Sequence, residues 1–211
     1  MSKWYSKDRM TAIWTKGLLI GFVISVSALL ILQLLPEPVR VLQVLEQTGD
    51  IKLDFRRGGT ISTGTDARVL LSIDGILVGL SENTDLRLDQ ILRDEVHLFI
   101  LRGRVAVDAR QAPLGSVSVR TDRVTSISDG VWSLVNYDFA ERVNIFPING
   151  TVQLFVNGIE QPTTMLQSVE VSELEPYTIN YTTSDLSSSS EADFYHWFDM
   201  SLTDVYHPTV P

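Results

Sequence analysis

Residues able to carry chemistry are few and scattered. The chain has no cysteine, which excludes disulfides, thiolate zinc sites, iron–sulfur clusters, cysteine nucleophiles and a lipidated N-terminal cysteine. It has three histidines. His97 lies inside an apolar strand pattern, the setting of a hydrogen-bonded strand residue rather than of a ligand. His196 and His207 stand 11 residues apart without ligand spacing. Asp94-Glu95 is an isolated acidic pair with the character of a solvated turn, and a two-carboxylate hydrolase needs separated groups. Asp50, Asp54, Asp66, Asp74 and Asp89 could line one face and hold calcium, but their spacing matches no calcium-loop motif. No Gly-x-Ser-x-Gly elbow, phosphate-binding glycine loop or His-Glu-x-x-His helix occurs. No catalysis, metal or cofactor is expected.

The densest cluster of side chains suited to recognition is aromatic: Phe194, Tyr195, Trp197 and Phe198, with His196 among them. It follows a Ser/Thr-rich stretch, TTSDLSSSSEAD, that has the composition of a linker. An exposed cluster of this kind binds something or aggregates. Two uses fit it: folding back to cap an open end of the chain's own core, or docking a partner.

Charge divides the 211-residue chain into three regimes that the net value of −9 conceals. Residues 1–16 carry +3, residues 17–36 carry nothing ionisable, and the remainder carries −12, with no Lys or Arg after Arg142. An acidic body argues against a nucleic-acid partner. The uncharged run Gly17–Pro36 is 20 residues long, and at about 1.5 Å per residue a helix of that length crosses a bilayer core of about 30 Å. A cleaved signal peptide is the alternative, but such segments are shorter and end at a small-x-small site, which is missing before Pro36. Four basic residues precede the run and only Arg40 follows closely. The N-terminus is therefore expected in the cytoplasm and the body outside it, in a periplasm or at the cell exterior. Trp14 and Lys16 fall at the headgroup level, and Gly17, Gly21 and Ser25 form a small-residue stripe through which two spans could pair as a homodimer.

Beyond Pro36 the pattern is that of strands. Val69–Ile73, Ile76–Leu80, Val96–Leu101, Val105–Val107, Ser116–Val119, Val152–Val156 and Val169–Val171 are short apolar or alternating runs closed by Gly, Asp, Asn or Pro. LRLDQILRDE within 85–95 fits either a helical turn or a strand and loop. A strand–polar–Gly–strand unit recurs at Gly75, Gly103, Gly130 and Gly150, where a tight reversal or corner favours positive φ. The fold class is all-β, and two architectures fit: a sandwich of hairpins, or solenoid coils cornered at the glycines, which the Gly-to-Gly spacings of 28, 27 and 20 residues favour.

These residues carry a resemblance. Gly59-Thr60-Ile61-Ser62-Thr63-Gly64, followed by Ala67-Arg68-Val69 and Ile73-Asp74-Gly75, resembles the opening of a FecR-type domain. Asn83-Thr84 with Leu86-Arg87-Leu88, then Val96 through Val105, Val117 through Thr121 and Val143 through Val152 resemble its continuation. The resemblance covers residues 47–176 and implies a compact β domain, solenoid-like or sandwich-like, exported behind one span. Its best-known members regulate iron transport, binding a sigma factor in the cytosol and a receptor's signalling domain in the periplasm. Their helical sigma-binding part has no counterpart in the 16 residues ahead of the span, and a FecR-type aromatic strand after Gly-Thr is replaced by Asp129-Gly130-Val131-Trp132. The expected organisation is a basic tail (1–16), an anchor (17–36), a juxtamembrane segment (37–46), a FecR-like domain (47–176), a linker (177–193) and an aromatic cap or docking segment (194–211). The expected role is non-catalytic binding, scaffolding or envelope sensing through an unidentified protein or envelope partner, with membrane lipid around one helix; the alternative is a transmembrane signalling regulator.

Overall fold

The computed structural model describes residues 42–91, 95–110, 116–128, 132–138, 140–149, 152–164, 167–174, 177–183 and 192–206. The chain divides into units 1–38 and 39–211, and all described residues belong to the second. The expected span, with Trp14, Lys16, Gly17, Gly21 and Ser25, lies outside them, as do Gly130 and Gly150. Among the described residues no helix is long and apolar enough to cross a membrane.

The body is all-β with one short helix. Its elements are β1 (Leu42–Thr48), β2 (Ile51–Leu53), β3 (Thr60–Thr63), β4 (Arg68–Ile73), β5 (Ile76–Leu80), β6 (Asp85–Ile91), β7 (Glu95–Asp108) and β8 (Ser116–Arg120). There follow β9 (Val124–Ser128), β10 (Trp132–Tyr137), β11 (Arg142–Asn149), β12 (Gln153–Val156), β13 (Ile159–Gln161), β14 (Gln167–Ser172), β15 (Thr178–Thr183) and α1 (Ala192–Tyr206). One sheet runs β1-β4-β5-β7-β10-β11-β14-β15, and the other β2-β3-β6-β7-β8-β9-β12-β13. Hairpins β2–β3, β4–β5, β8–β9, β10–β11, β12–β13 and β14–β15 alternate between the two sheets. Among the described residues all pairings are antiparallel except β7 with β8.

The two sheets face each other across one core because their strands alternate. Val69, Leu71 and Ile73 of β4 point inward with Leu86 and Leu88 of β6, Val96, Leu98 and Ile100 of β7, Val143 and Ile145 of β11, and Leu154 and Val156 of β12. Inward positions at period two on both layers make a sandwich of hairpins, not the solenoid that the glycine spacing favours: consecutive strands such as β4 and β5 fold back antiparallel on each other instead of stacking as parallel coils.

β7 belongs to both layers. Its first half pairs with β6 and β8, its second with β5 and β10. The changeover is Gly103, at φ +96°, where a Cβ would stand 2.4 Å from the Thr84 hydroxyl. Any side chain there meets both left-handed strain and a collision. Gly103 is thus a corner inside one continuous 14-residue strand, not a reversal between two. Thr84 Oγ1 accepts the Arg104 N–H at 3.0 Å, and the Thr84 N–H donates to Thr63 Oγ1 at 2.9 Å, so the crossing is stitched to the neighbouring hairpin ends. At the far end, buried Glu173 receives the Thr121 hydroxyl and, at 3.2 Å, the Arg123 N–H, tying a turn of one sheet to the end of β14 in the other.

Several segment boundaries differ from the sequence expectation. β1 begins inside the 37–46 juxtamembrane segment, and β15 occupies Thr178–Thr183 of the expected linker. Residues 85–91 are strand rather than helical turn. The aromatic tail forms a helix, which the all-β reading of the exported part did not include.

Candidate functional site

The most elaborate constellation of side chains lies where α1 meets the outer face of the first sheet. The helix follows from spacing: Phe194, Phe198, Ser201 and Leu202 recur at helical intervals and are its buried residues, with Asp193 in the first turn favouring the positive end of the dipole. Phe194, Phe198 and Leu202 pack on Leu70 of β4, Leu77 of β5, Ala106 of β7 and Phe146 of β11. These strands therefore carry apolar side chains on both faces. All five residues of β5 are buried, as are the last four of β7.

Gly79 makes the seat. A Cβ on it would stand 2.5 Å and 2.8 Å from two ring carbons of Phe198 and 3.2 Å from Trp197. The missing side chain is the space the Phe198 ring fills.

Polar pins surround this contact. Glu46 of β1 accepts the Trp197 indole N–H at 3.2 Å and the Ser201 hydroxyl at 3.0 Å. The Arg68 guanidinium lies 5.8 Å from the Trp197 ring centroid. At the helix end, the Tyr206 hydroxyl donates to Asp108 Oδ2 at 2.9 Å. Asp108 is fully buried, and Arg110 forks onto it at 2.9 Å from Nε and 2.7 Å from Nη2. Burial, followed by the Asp108 charge and its hydrogen bond, pushes the Tyr206 phenol well above its ordinary range. The hydrogen bond to Asp108 raises Arg110 further. The arrangement holds a helix on a sheet by three apolar plugs and two carboxylate anchors, each anchor taking a hydroxyl of the helix.

Placement of the aromatic residues follows. Phe194 and Phe198 are buried in the seat, while Tyr195 and Trp197 are half-buried at its margin. Phe194 and Trp197 stack at 5.6 Å. The cluster folds back on its own chain, as the capping alternative supposes, but covers a sheet face instead of an open end. Asp74 and Gly75, at φ 49° and 87°, turn β4 into β5; Gly59 and Gly64 are close-approach positions, beside the Asp54 and Asp50 carbonyls.

The other candidates stay apart. His97 bonds Ser118 at 2.6 Å and faces Glu95 at 3.1 Å. Asp54 is held by Arg56, whose hydrogen bonds bring its carboxyl down to about 2, and Asp89 is held by Arg87. Among the described residues no group of three or more His, Asp or Glu is placed to hold a metal. On the second sheet's outer face, Arg87 lies over Phe99 at 4.3 Å, and Asp50, Lys52, Ser62, Asp85 and Arg102 surround a shallow hollow of about 260 Å³.

No protein-family model matches the chain, and no curated protein does. The body is similar in fold to two crystal structures from Parabacteroides distasonis ATCC 8503, each provisionally described as an anti-sigma factor. One, at 2.50 Å resolution, is 17% identical with a TM-score of 0.53 over 61% of each chain. The other, at 1.65 Å, is 16% identical with a TM-score of 0.55, over 66% of this chain and 64% of that one. The match thus spans a little over six-tenths of the length of those structures. At such identity the likeness is one of fold.

Proposed function

We propose that this chain is a membrane-tethered recognition module: a FecR-like β sandwich held outside the cytoplasm by residues 17–36, which binds a protein or envelope partner without transforming it. The observation that carries this reading is the joining of a 20-residue uncharged run behind a basic tail to a strand-built body whose most developed side-chain constellation secures a helix on a sheet. In that constellation the Ser201 and Tyr206 hydroxyls tie the helix to Glu46 and Asp108, which supports a holding role. The order of turn glycines and strands between 47 and 176 supports the FecR-like assignment.

A second reading is a transmembrane signalling regulator. It is favoured by the fold likeness to two structures described as anti-sigma factors, and would use residues 1–16 as a linear cytoplasmic motif. Deleting residues 1–13 while keeping the span separates the two. The recognition module predicts unchanged transcription and full rescue of a null strain's envelope-stress phenotype. Loss of rescue together with an altered transcript profile would instead establish the regulator.

A further inference from the structure

Among the described residues four strands end the two sheets: β1 and β15 in the first, β2 and β13 in the second. Free edges invite unwanted pairing, and proteins guard them with short strands, charges, prolines or bulges. Three of these edges are guarded. β2 and β13 are three residues each and carry Lys52 and Glu160. β1 has a register shift between Val44 and Glu46, and its Glu46 is engaged by α1.

β15 has none of these devices. Its six residues, Thr-Ile-Asn-Tyr-Thr-Thr, contain no charge and no proline. They pair with β14 in unbroken register from Thr178 opposite Ser172 to Thr183 opposite Gln167. No described strand pairs with its other side. Five of the six residues are exposed, Tyr181 by 39%.

We propose that β15 is a self-association edge, pairing antiparallel with β15 of a second copy about a two-fold axis through Asn180. Three features select a second copy. A chain of net charge −9 repels its own kind, so copies approach most readily along a strand without charge. The sequence is also self-complementary in this register. Asn180 meets Asn180, Ile179 meets Tyr181 and Thr178 meets Thr182, giving aliphatic–aromatic and Thr–Thr cross-strand pairs of the favourable kind. Ile179 and Tyr181 stand opposite Val171 and Val169 of β14, two core residues, so the apolar layer continues across the junction. Finally, Glu170 is the fixed charge opposite Asn180 on β14. It would lie three strand spacings, about 14 Å, from its mate, beyond a Debye length of about 8 Å at physiological salt. Joined this way, the first sheets of two copies become one continuous sheet.

The absence of cysteine makes the test clean. Residues directly opposed in an antiparallel pair have Cα atoms about 4.5–5.5 Å apart, within disulfide reach. The full chain, in membranes of expressing cells, would be oxidised with copper phenanthroline as single-cysteine variants Thr178→Cys, Asn180→Cys, Thr182→Cys and Ile159→Cys. The last lies on the opposite sheet's edge and is 67% exposed. Asn180→Cys should form disulfide-linked dimer at least tenfold faster than the other three. Adding Thr178→Lys and Thr182→Lys to it should return the rate to that of Ile159→Cys without lowering the melting temperature. Equal rates at Asn180 and Ile159, a maximum at another position, insensitivity to the two lysines, or crosslinking of Asn180→Cys to a different protein would each overturn the proposal.

Discussion

If Phe198 fills the space that Gly79 leaves, the smallest possible side chain at that position should displace it. Gly79→Ala places a methyl carbon 2.5 Å and 2.8 Å from two atoms of a fully buried ring. Ordinary carbon contacts lie at about 3.5–4.0 Å, so the ring must retreat by about 1 Å. A retreat of that size also strains the Trp197 and Ser201 bonds to Glu46. Overpacking of this kind costs about 1–3 kcal/mol. Were the helix not seated there, the sign would reverse, because glycine in a strand interior is about 0.5–1 kcal/mol worse than alanine. The two outcomes therefore differ in direction as well as size. Phe198→Ala alone should cost about 3–5 kcal/mol. In that background the added Gly79→Ala should become neutral or stabilising, a coupling of about 2 kcal/mol between residues in contact. Urea denaturation of the full chain in detergent, followed by Trp fluorescence and far-UV circular dichroism, measures each corner of the cycle. A stabilising Gly79→Ala in the wild type, or an equal cost in both backgrounds, would refute the seat.

Two further outcomes follow from the same structure. The Tyr206 phenol is raised in the folded state, so its contribution is fully present below the ordinary phenol value of about 10 and is lost as pH rises beyond it. Protease release of α1 should accelerate above about pH 10, and Tyr206→Phe should weaken that dependence while costing about 1.5–3 kcal/mol at neutral pH through the lost bond to a charged acceptor. Tyr137, raised by burial and by Glu173, leaves a residual alkaline transition in the variant. At Gly103, alanine meets positive φ and Thr84 together; a loss of about 3 kcal/mol or more is expected from strain plus collision, measured by the same denaturation series.

Strand alternation made β4, β5, β7, β8, β12 and β14 legible, because a one-residue slip would turn Val69, Leu71 and Ile73 away from the core, but it did not distinguish hairpins from coils, which differ in non-local pairing. The continuous apolar run Ile76-Leu77-Val78 followed by Gly79 carried a further signal, that β5 is covered on both faces. Its cover could be found from the spacing of Phe194, Phe198 and Leu202, a helical interval that composition alone masks beneath the look of an aromatic patch. Gly103 was visible as a position needing unusual φ, but a corner within one strand and a turn between two leave the same local trace; only the non-local partners, β5 and β10 on one side and β6 and β8 on the other, distinguish them. Asn157-Gly158, at φ 51° and 76°, turns β12 into β13 and was as readable as Asp74-Gly75. The Glu46 and Asp108 anchors had no signature, since their partners lie 151 and 98 residues away.

The proposed function requires that residues 17–36 hold the body outside the cytoplasm. Single cysteines placed in the otherwise cysteine-free chain at Ser6 and at exposed Ile159 test it directly, by labelling cells whose outer layers have been removed with a membrane-impermeant maleimide. Ile159→Cys should react at once and Ser6→Cys only after the membrane is lysed. Protection of Ile159→Cys until lysis, or recovery of the chain in the soluble fraction, would contradict it.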